Sequence, residues 1–259
     1  MPGHALYSEL AEYYDRIYQD KDYAGEAARL LALARRYLGR PPRTLLDVAC
    51  GTGRHLEYFG RRVAVAGVDA SPAMLAVARK RLGPGIRLQR GDMRTFRLRG
   101  RFDVIVCLFS AIGYLRRHND RVRALANLYR HLNAGGVALV EGWILPSRWR
   151  GSSVHLQIYD GAEAKIARLS KSTRRGTLTQ IEMHYLIGEP GRKIRHIVDV
   201  HRNALLEPEE WLASFREAGF RARVLVRPPY QDRGLYVGLR PSLPTRAAQR
   251  LRPKGTRGS

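Results

Sequence analysis

The stretch TLLDVACGTGRHL, residues 44–56, constrains this chain more than any other feature. Its apolar run does not alternate with polar residues, the pattern of a strand buried on both faces of a parallel sheet. The run passes directly into Gly51, Thr52 and Gly53 and then into a helical segment. Glycines at that point allow positive φ and let a ligand lie against main-chain atoms with no Cβ in the way. A glycine pair after a strand is in itself an ordinary turn, so its meaning rests on the rest of the chain.

The rest of the first half alternates repeatedly. Residues 26–38, EAARLLALARRYL, put Ala27, Leu30, Leu31, Ala34 and Leu38 on one helical face ahead of the first strand. RVAVAGVDA reads as a second strand, and SPAMLAVARKRL as a helix with Ser71 at its cap and Pro72 in its first turn. IRLQRGD and FDVIVCLFS supply strands three and four. A helix from about Asp120 to Leu132 leads through Asn133, Ala134, Gly135 and Gly136 into a fifth strand, GVALVEGW. Strands alternating with helices specify an α/β fold, a Rossmann-like, doubly wound and mostly parallel sheet covered on both faces.

Past Pro146 the period changes to two. VHLQIYD, AKIARLSKSTRRG, TLTQIEMHYLIG and KIRHIVDVHRNALL read as strands of an inserted antiparallel subdomain. Helical character returns in EPEEWLASFREAG, and RARVLVRP and RGLYVGLR bring the main sheet to seven strands. The expected organisation is a main domain over 1–145 and 205–240, an inserted antiparallel β unit over 146–204, and a disordered basic tail over 241–259. At 259 residues the chain is long enough for a full core plus such an insertion.

Three residues beyond the glycines narrow the ligand. A dinucleotide fingerprint wants a third glycine where this chain has Leu56, so a nucleoside without a pyrophosphate fits better. Asp69 ends strand two, where a carboxylate can hold both hydroxyls of a ribose. Asp92, followed by Met93, ends strand three, where a carboxylate can accept from an adenine amino group while an apolar neighbour packs on the ring. One acidic residue at a strand end is usually a solvated turn residue; three matching features along one sheet edge are not.

In that order, DVACGTG, VDAS, GDM and LNAGG resemble the class I S-adenosylmethionine-dependent methyltransferases. The resemblance implies that Ala49, Gly51 and Gly53, with Asp47 of the same motif, lie against the methionine and ribose part of S-adenosylmethionine. Asp69 would hold the ribose, Asp92 the adenine amino group, and Ala70, Met74 and Met93 would flank the base. Leu108, Phe109 and Ser110 would floor the site beside the sulfonium.

A closer resemblance, over residues 7–240, is to the aminosugar N,N-dimethyltransferases of macrolide biosynthesis. It is carried by YYDRIYQDKDYAGEA, FSAIGYL, the insertion after Trp143 and the closing RGLYVGLR. It implies that Tyr14 and Tyr18 sit on a lid over the cofactor. It also implies that Ser110 and Arg233 face the acceptor, with Arg233 forking onto a diphosphate or carboxylate. An amine must lose its proton before attack, and Tyr14, Tyr114, Glu141 and His201 are the candidate bases. One departure matters: the family pattern has a histidine after Ile-Gly, and this chain has Tyr114. A phenol is a poorer base near neutral pH, which leaves a different amine or an oxygen nucleophile open as acceptor.

Charge widens the field again. Lys and Arg total 46 against 23 Asp and Glu, a net +23 that attracts polyanions. The arginines are scattered through nearly every segment, so the charge reads first as a solvated surface. With no appended RNA-binding module and no Asn-Pro-Pro-Tyr or Asp-Pro-Pro-Tyr signature after strand four, a small-molecule acceptor, an anionic one included, is favoured over an RNA-directed reaction, and a cofactor-binding protein without turnover is the non-enzymatic alternative. No run of about 18 apolar residues occurs, and Met1 to Tyr18 is polar and tyrosine-rich. A cytoplasmic protein with no membrane contact is expected. The two cysteines, Cys50 and Cys107, suit reduced thiols, no zinc pattern is present and no metal is expected. The inserted sheet offers a surface for a homodimer.

Overall fold

The computed structural model describes residues 4–151 and 154–242. The tail expected from 241 onward therefore lies almost wholly outside the described residues. Before the main sheet come α1 (Tyr14–Ile17) and α2 (Tyr23–Leu38). Helix α2 starts three residues ahead of the expected boundary because Asp22 caps it, its Oδ1 accepting from the Gly25 N–H at 2.8 Å.

The alternating segment then unrolls as β1 (Thr44–Val48), α3 (Arg54–Phe59), β2 (Ala64–Asp69), α4 (Pro72–Leu82), β3 (Arg87–Arg90), β4 (Phe102–Cys107), α5 (His118–His131) and β5 (Leu132–Glu141). The antiparallel segment comes next as β6 (Val154–Asp160), β7 (Lys165–Arg175), β8 (Leu178–Gly188) and β9 (Arg195–Ala204). The chain closes with α6 (Pro208–Glu217), β10 (Arg221–Leu225) and β11 (Leu235–Leu239).

Seven strands form the main sheet in the order β10-β11-β5-β4-β1-β2-β3. All pair in parallel except β11, which runs antiparallel to both β5 and β10. Both faces are buried, as the unalternating strands require. Leu45, Val104, Val106, Val137 and Leu139 pack under Ala27, Leu30 and Ala34 of α2, while Leu46, Val48, Ile105, Ala138 and Val140 pack on the side of Leu125 of α5 and Trp211 and Phe215 of α6. Each such buried aliphatic contributes about 1.5–3 kcal/mol.

A second boundary differs from the sequence reading. Residues 133–136, expected as a connecting turn, lie inside β5 as an irregularity: Leu132 pairs with Phe102, and regular register resumes only at Val137 with Val104. Gly135, at φ 75°, absorbs the bend, and the Asn133 side chain donates to Asp103 at 3.0 Å.

Strands β6 to β9 form a separate four-stranded antiparallel sheet in sequence order. Its inner face presents Ile166, Met183, Tyr185 and Ile187, which bury Leu6, Leu10, Tyr13 and Ile17. The N-terminal segment is thus clamped between the second sheet and the edge of the first. Close approach is built in at Gly113, where a Cβ would meet Asn203 Nδ2 at 3.0 Å and Trp143 Cβ at 3.2 Å. Among the described residues no helix is long and apolar enough to cross a membrane.

Candidate active site

The turn after β1 is built from left-handed residues: Ala49 at φ 65°, Gly51 at 54° and Gly53 at 77°. The two glycines do different work. A Cβ on Gly53 would press Leu82 Cδ1 at 2.8 Å, so its bareness lets α3 pack against α4. A Cβ on Gly51 would meet only Met74 Cε at 3.9 Å, so that backbone faces open space. Asp69 borders this space, its Oδ2 accepting from Gly51 N–H and its Oδ1 from Ser71 N–H, each at 2.8 Å. Burial raises its carboxyl above the usual range, and the backbone donors oppose that rise. Each oxygen keeps a lone pair for a ligand hydroxyl.

Tyr7, Tyr14, Met74 and Leu108 wall the same space. Asp47 lies buried behind it, its carboxyl pushed well up by burial and by the neighbouring Asp69. Ala70, Asp92 and Met93 line an adjoining groove of about 400 Å³. Asp92 is already paired: Arg94 donates to it through Nη2 at 2.7 Å and Nε at 2.9 Å, which lowers its pKa. These residues fit S-adenosylmethionine, with an open glycine backbone, a buried carboxylate for the ribose, and apolar Met74 and Met93 beside a second carboxylate.

On the far side of Phe109 lies a cavity of about 310 Å³, shared between the sheet edge and the inner face of β7, β8 and β9. Phe109 and Ser110 are consecutive non-glycine residues at positive φ, 54° and 59°. Such conformations cost on the order of 1–3 kcal/mol each and persist only when their surroundings hold them. Here Glu141 Oε2 accepts the Phe109 N–H at 2.6 Å, and Ser110 Oγ donates to Gly142 O at 2.6 Å. Arg233 completes the arrangement, reaching Glu141 Oε1 at 3.0 Å and Ser110 Oγ at 3.3 Å.

The expected tyrosines divide between the two spaces. Tyr14 lines the space over Gly51 and Asp69, whereas Tyr18 lines the 310 Å³ cavity, where its hydroxyl accepts from Arg168 Nη1 at 2.8 Å. Tyr114 and His201 meet directly, the Tyr114 hydroxyl bonding His201 Nδ1, and Tyr7 joins through its own hydroxyl 2.8 Å from that of Tyr114. Behind them His201 Nε2 lies 3.0 Å from Asp199 Oδ2, in a bent contact short of full hydrogen-bond alignment. Asp199 also holds His4 Nδ1 at 3.1 Å and accepts the Leu6 N–H at 2.8 Å. Burial would raise the Asp199 carboxyl, yet these partners outweigh it and hold it well below the usual range. Both phenols are driven up by burial and stay protonated.

His4, Asp199 and His201 bring three ligand-type atoms within 4.8 Å of one another. The two rings, however, stack face to face at 4.3 Å and each addresses a different carboxylate oxygen, His4 through a hydrogen bond and His201 through a close polar contact, so the group reads as a polar chain centred on Asp199.

Tyr7, Arg168, Asp199 and Asn203 were not singled out in the sequence. For β9 a signal existed: Asp199, His201 and Asn203 alternate onto one face of a strand.

A sheet of this order, with a glycine turn after its first strand and carboxylates ending the next two, defines an S-adenosylmethionine-dependent methyltransferase. A methyltransferase-domain family model matches residues 45–136. Over 234 residues the protein is 41% identical to the dTDP-3-amino-3,4,6-trideoxy-alpha-D-glucopyranose N,N-dimethyltransferase of Streptomyces venezuelae, covering 88% of this chain and 97% of that one. The crystal structure of Streptomyces venezuelae DesVI superposes with a TM-score of 0.83 at 39% identity, covering 90% of this chain and 98% of the other. S-adenosylmethionine-bound CalS10, an amino pentose methyltransferase from Micromonospora echinaspora, gives 0.78 at 36% identity, covering 90% and 97%. The chain belongs to the aminosugar N,N-dimethyltransferase family.

Proposed function

We propose that this enzyme methylates, and then methylates again, the amine of a nucleotide-linked aminosugar. The observation that carries the reading is the position of Phe109 and Tyr7, which border both the cofactor space and the 310 Å³ cavity, so that donor and acceptor meet across them. The acceptor cavity is lined by two cations, Arg168 and Arg233, and by Tyr7 and Tyr114. Such polarity suits a sugar held by its amine at one end and by a diphosphate at the other. Arg168, Arg233 and Tyr18 also border a wider groove of about 540 Å³, with room for a nucleotide. The relatives named above supply the substrate class by likeness.

Bound S-adenosylmethionine supplies a methyl group already activated on sulfonium. What the chain adds is geometry: Gly51, Asp69 and Met74 fix the donor, Tyr7 and Tyr114 orient the nitrogen, and Phe109 with Tyr14 excludes water from the line of displacement. In this reading 1–145 and 205–240 bind the donor and 146–204 covers the acceptor. A cytoplasmic setting belongs to it, supported by two buried cysteines, Cys50 and Cys107, left as free thiols.

The test is mass-resolved methyl transfer from S-adenosylmethionine to dTDP-linked 3-amino and 4-amino deoxysugars. Mono- and dimethylated products support the reading. No product from any of them, with cofactor binding intact, sinks it.

The second sheet also supports a homodimer. Its outer face carries Val154, Leu156, Ile158, Leu169, Leu186 and Val198, each between 47% and 63% exposed. Pairing places Leu156 beside Leu169, Ile158 beside Ala167, and Ala167 beside Leu186, so the apolar residues are contiguous. Four strands about 4.8 Å apart and roughly 30 Å long make a face of about 600 Å², close to the ~800 Å² per partner of stable interfaces. Charges on that face partly cancel, Lys171 lying beside Glu182 and Lys165 pairing with Asp160, on a chain of net +23. A contiguous apolar face whose nearest charges are paired suits a second copy better than a polyanion.

A further inference from the structure

We infer that Tyr114, His201 and Asp199 form a proton relay that strips the acceptor ammonium at the moment of use, with Tyr7 orienting the nitrogen against Tyr114. The inference rests on the aminosugar reading above and goes beyond it in assigning where the proton goes.

An amine with a free lone pair is needed for attack, but a sugar amine near neutral pH arrives largely protonated. Neither phenol at the cavity wall can take that proton alone, because burial keeps both in the neutral, protonated form. The hydroxyl of Tyr114 is bonded to His201 Nδ1; in the relay it donates there, which puts the imidazole proton on Nε2, 3.0 Å from Asp199 Oδ2 in a contact that straightens as the ring takes up charge. A phenol so placed accepts a proton on one side as it releases its own on the other. The ammonium N–H proton passes to Tyr114 Oη, the original Tyr114 proton passes to His201 Nδ1, and the imidazolium is neutralised by the Asp199 carboxylate. The nitrogen keeps the electron pair of the broken N–H bond. That pair then forms the C–N bond as the C–S bond breaks, with its electrons staying on sulfur.

The surroundings of His201 suit this task. The groups facing it are His4 and Tyr7 from the N-terminal segment, Tyr114, and Asp199 on its own strand. Its partner across the ladder from β8 is the uncharged Ile181, and that of Asp199 is Met183. Among the described residues no Lys or Arg is in ring or hydrogen-bond contact with the imidazole. His4 stacks on His201 and holds the other oxygen of Asp199 while its own side chain is 23% exposed, which opens a path for the proton to water between turnovers. Two methylations release two protons, so a resetting path is required. His201 thereby restores, one residue removed, the imidazole that the family pattern places at the position of Tyr114.

The experiment is the pH dependence of kcat/KM with dTDP-3-amino-3,4,6-trideoxy-alpha-D-glucopyranose, for the unaltered enzyme, Tyr114→Phe, His201→Gln and Asp199→Asn. Calorimetric binding of S-adenosylmethionine monitors folding of each. With the relay, Tyr114→Phe uses only amine that arrives already neutral. Its deficit grows about 10-fold per pH unit below the amine's own pKa and closes above it. His201→Gln, which can still accept the Tyr114 hydroxyl but cannot hold a proton, reproduces that pH-dependent deficit, and Asp199→Asn gives a smaller one. A deficit equal at every pH, or unimpaired His201→Gln, overturns the relay while leaving the substrate class standing. No turnover by the unaltered enzyme overturns the aminosugar reading and the relay with it.

Discussion

Glu141 divides its carboxylate between two partners: one oxygen accepts the Phe109 N–H at 2.6 Å and the other meets the Arg233 guanidinium at 3.0 Å. Both of its oxygens are committed to holding the floor of the site. Glu141→Gln keeps an acceptor for Phe109 and is expected to retain most of kcat. Glu141→Ala leaves that N–H unpaired beside two residues already at positive φ, at a cost of about 1–3 kcal/mol. Steady-state rates and thermal melts of the two variants check this; equal, near-complete loss of kcat in both would make Glu141 a base after all.

Arg233 has donors to spare beyond its bonds to Glu141 and Ser110, and its side chain is 39% exposed to the cavities. Arg233→Ala is expected to raise KM for a diphosphate-linked acceptor about 10- to 100-fold with kcat little changed, as for loss of a charge-assisted bond made equally in ground and transition states. Arg233→Lys should recover only part of it, because an ammonium cannot fork. Unchanged KM would remove Arg233 from acceptor binding.

Asp69 holds the turn after β1 through two backbone N–H groups. Asp69→Ala deletes the acceptor of the Gly51 and Ser71 N–H groups together with the proposed partner for a ribose. Gly51→Val forces a β-branched residue to φ 54°. Both should abolish S-adenosylmethionine binding in calorimetry with far-ultraviolet circular dichroism unchanged. Retained affinity in either would relocate the donor site.

The βα alternation was legible because buried strands and amphipathic helices have different periods, and the change at Pro146 marks a change of sheet. The placing of Asp69 and Asp92 along one edge was legible because strand ends on one edge of a parallel sheet converge. What escaped was anything set by distant pairing. Tyr7 ends a three-residue 3₁₀ turn too short to show periodicity, and its place is fixed by Ser71 Oγ on its carbonyl and by Asp199, 193 residues away from Leu6, on its neighbour's amide. The pairing of Arg233 with Glu141 follows from β11 lying antiparallel on β5, with Leu235 opposite Glu141, a register no local pattern states.

Glu26 links α2 to α3 through His55 Nε2 at 2.7 Å, with Lys21 Nζ at 2.6 Å. Burial alone would raise its carboxyl, but these partners bring it down to about 2. A folded pKa below the unfolded value near 4.5 gives stability that is complete above pH ~4.5 and lost as pH falls toward ~2, on the order of 3 kcal/mol in all. Glu26→Gln should flatten the acid limb of Tm against pH in that window. An unaltered acid limb in the variant would show that other carboxylates carry it.

The outer face of the second sheet offers the plainest physical choice. If Leu156 and Ile158, at 63% and 59% exposed, faced water in the working enzyme, charging them would cost nothing and improve solubility. If they face the same residues of a second copy across a two-fold axis, each substitution enters the interface twice and buries a charge against its own image. Leu156→Asp with Ile158→Lys is therefore expected to convert a dimer to a monomer in sedimentation velocity. Methyl transfer should continue, because Gln157 between them and Tyr159 beyond point inward and are untouched. A monomeric unaltered enzyme at micromolar concentration would show that another partner, or none, covers this face.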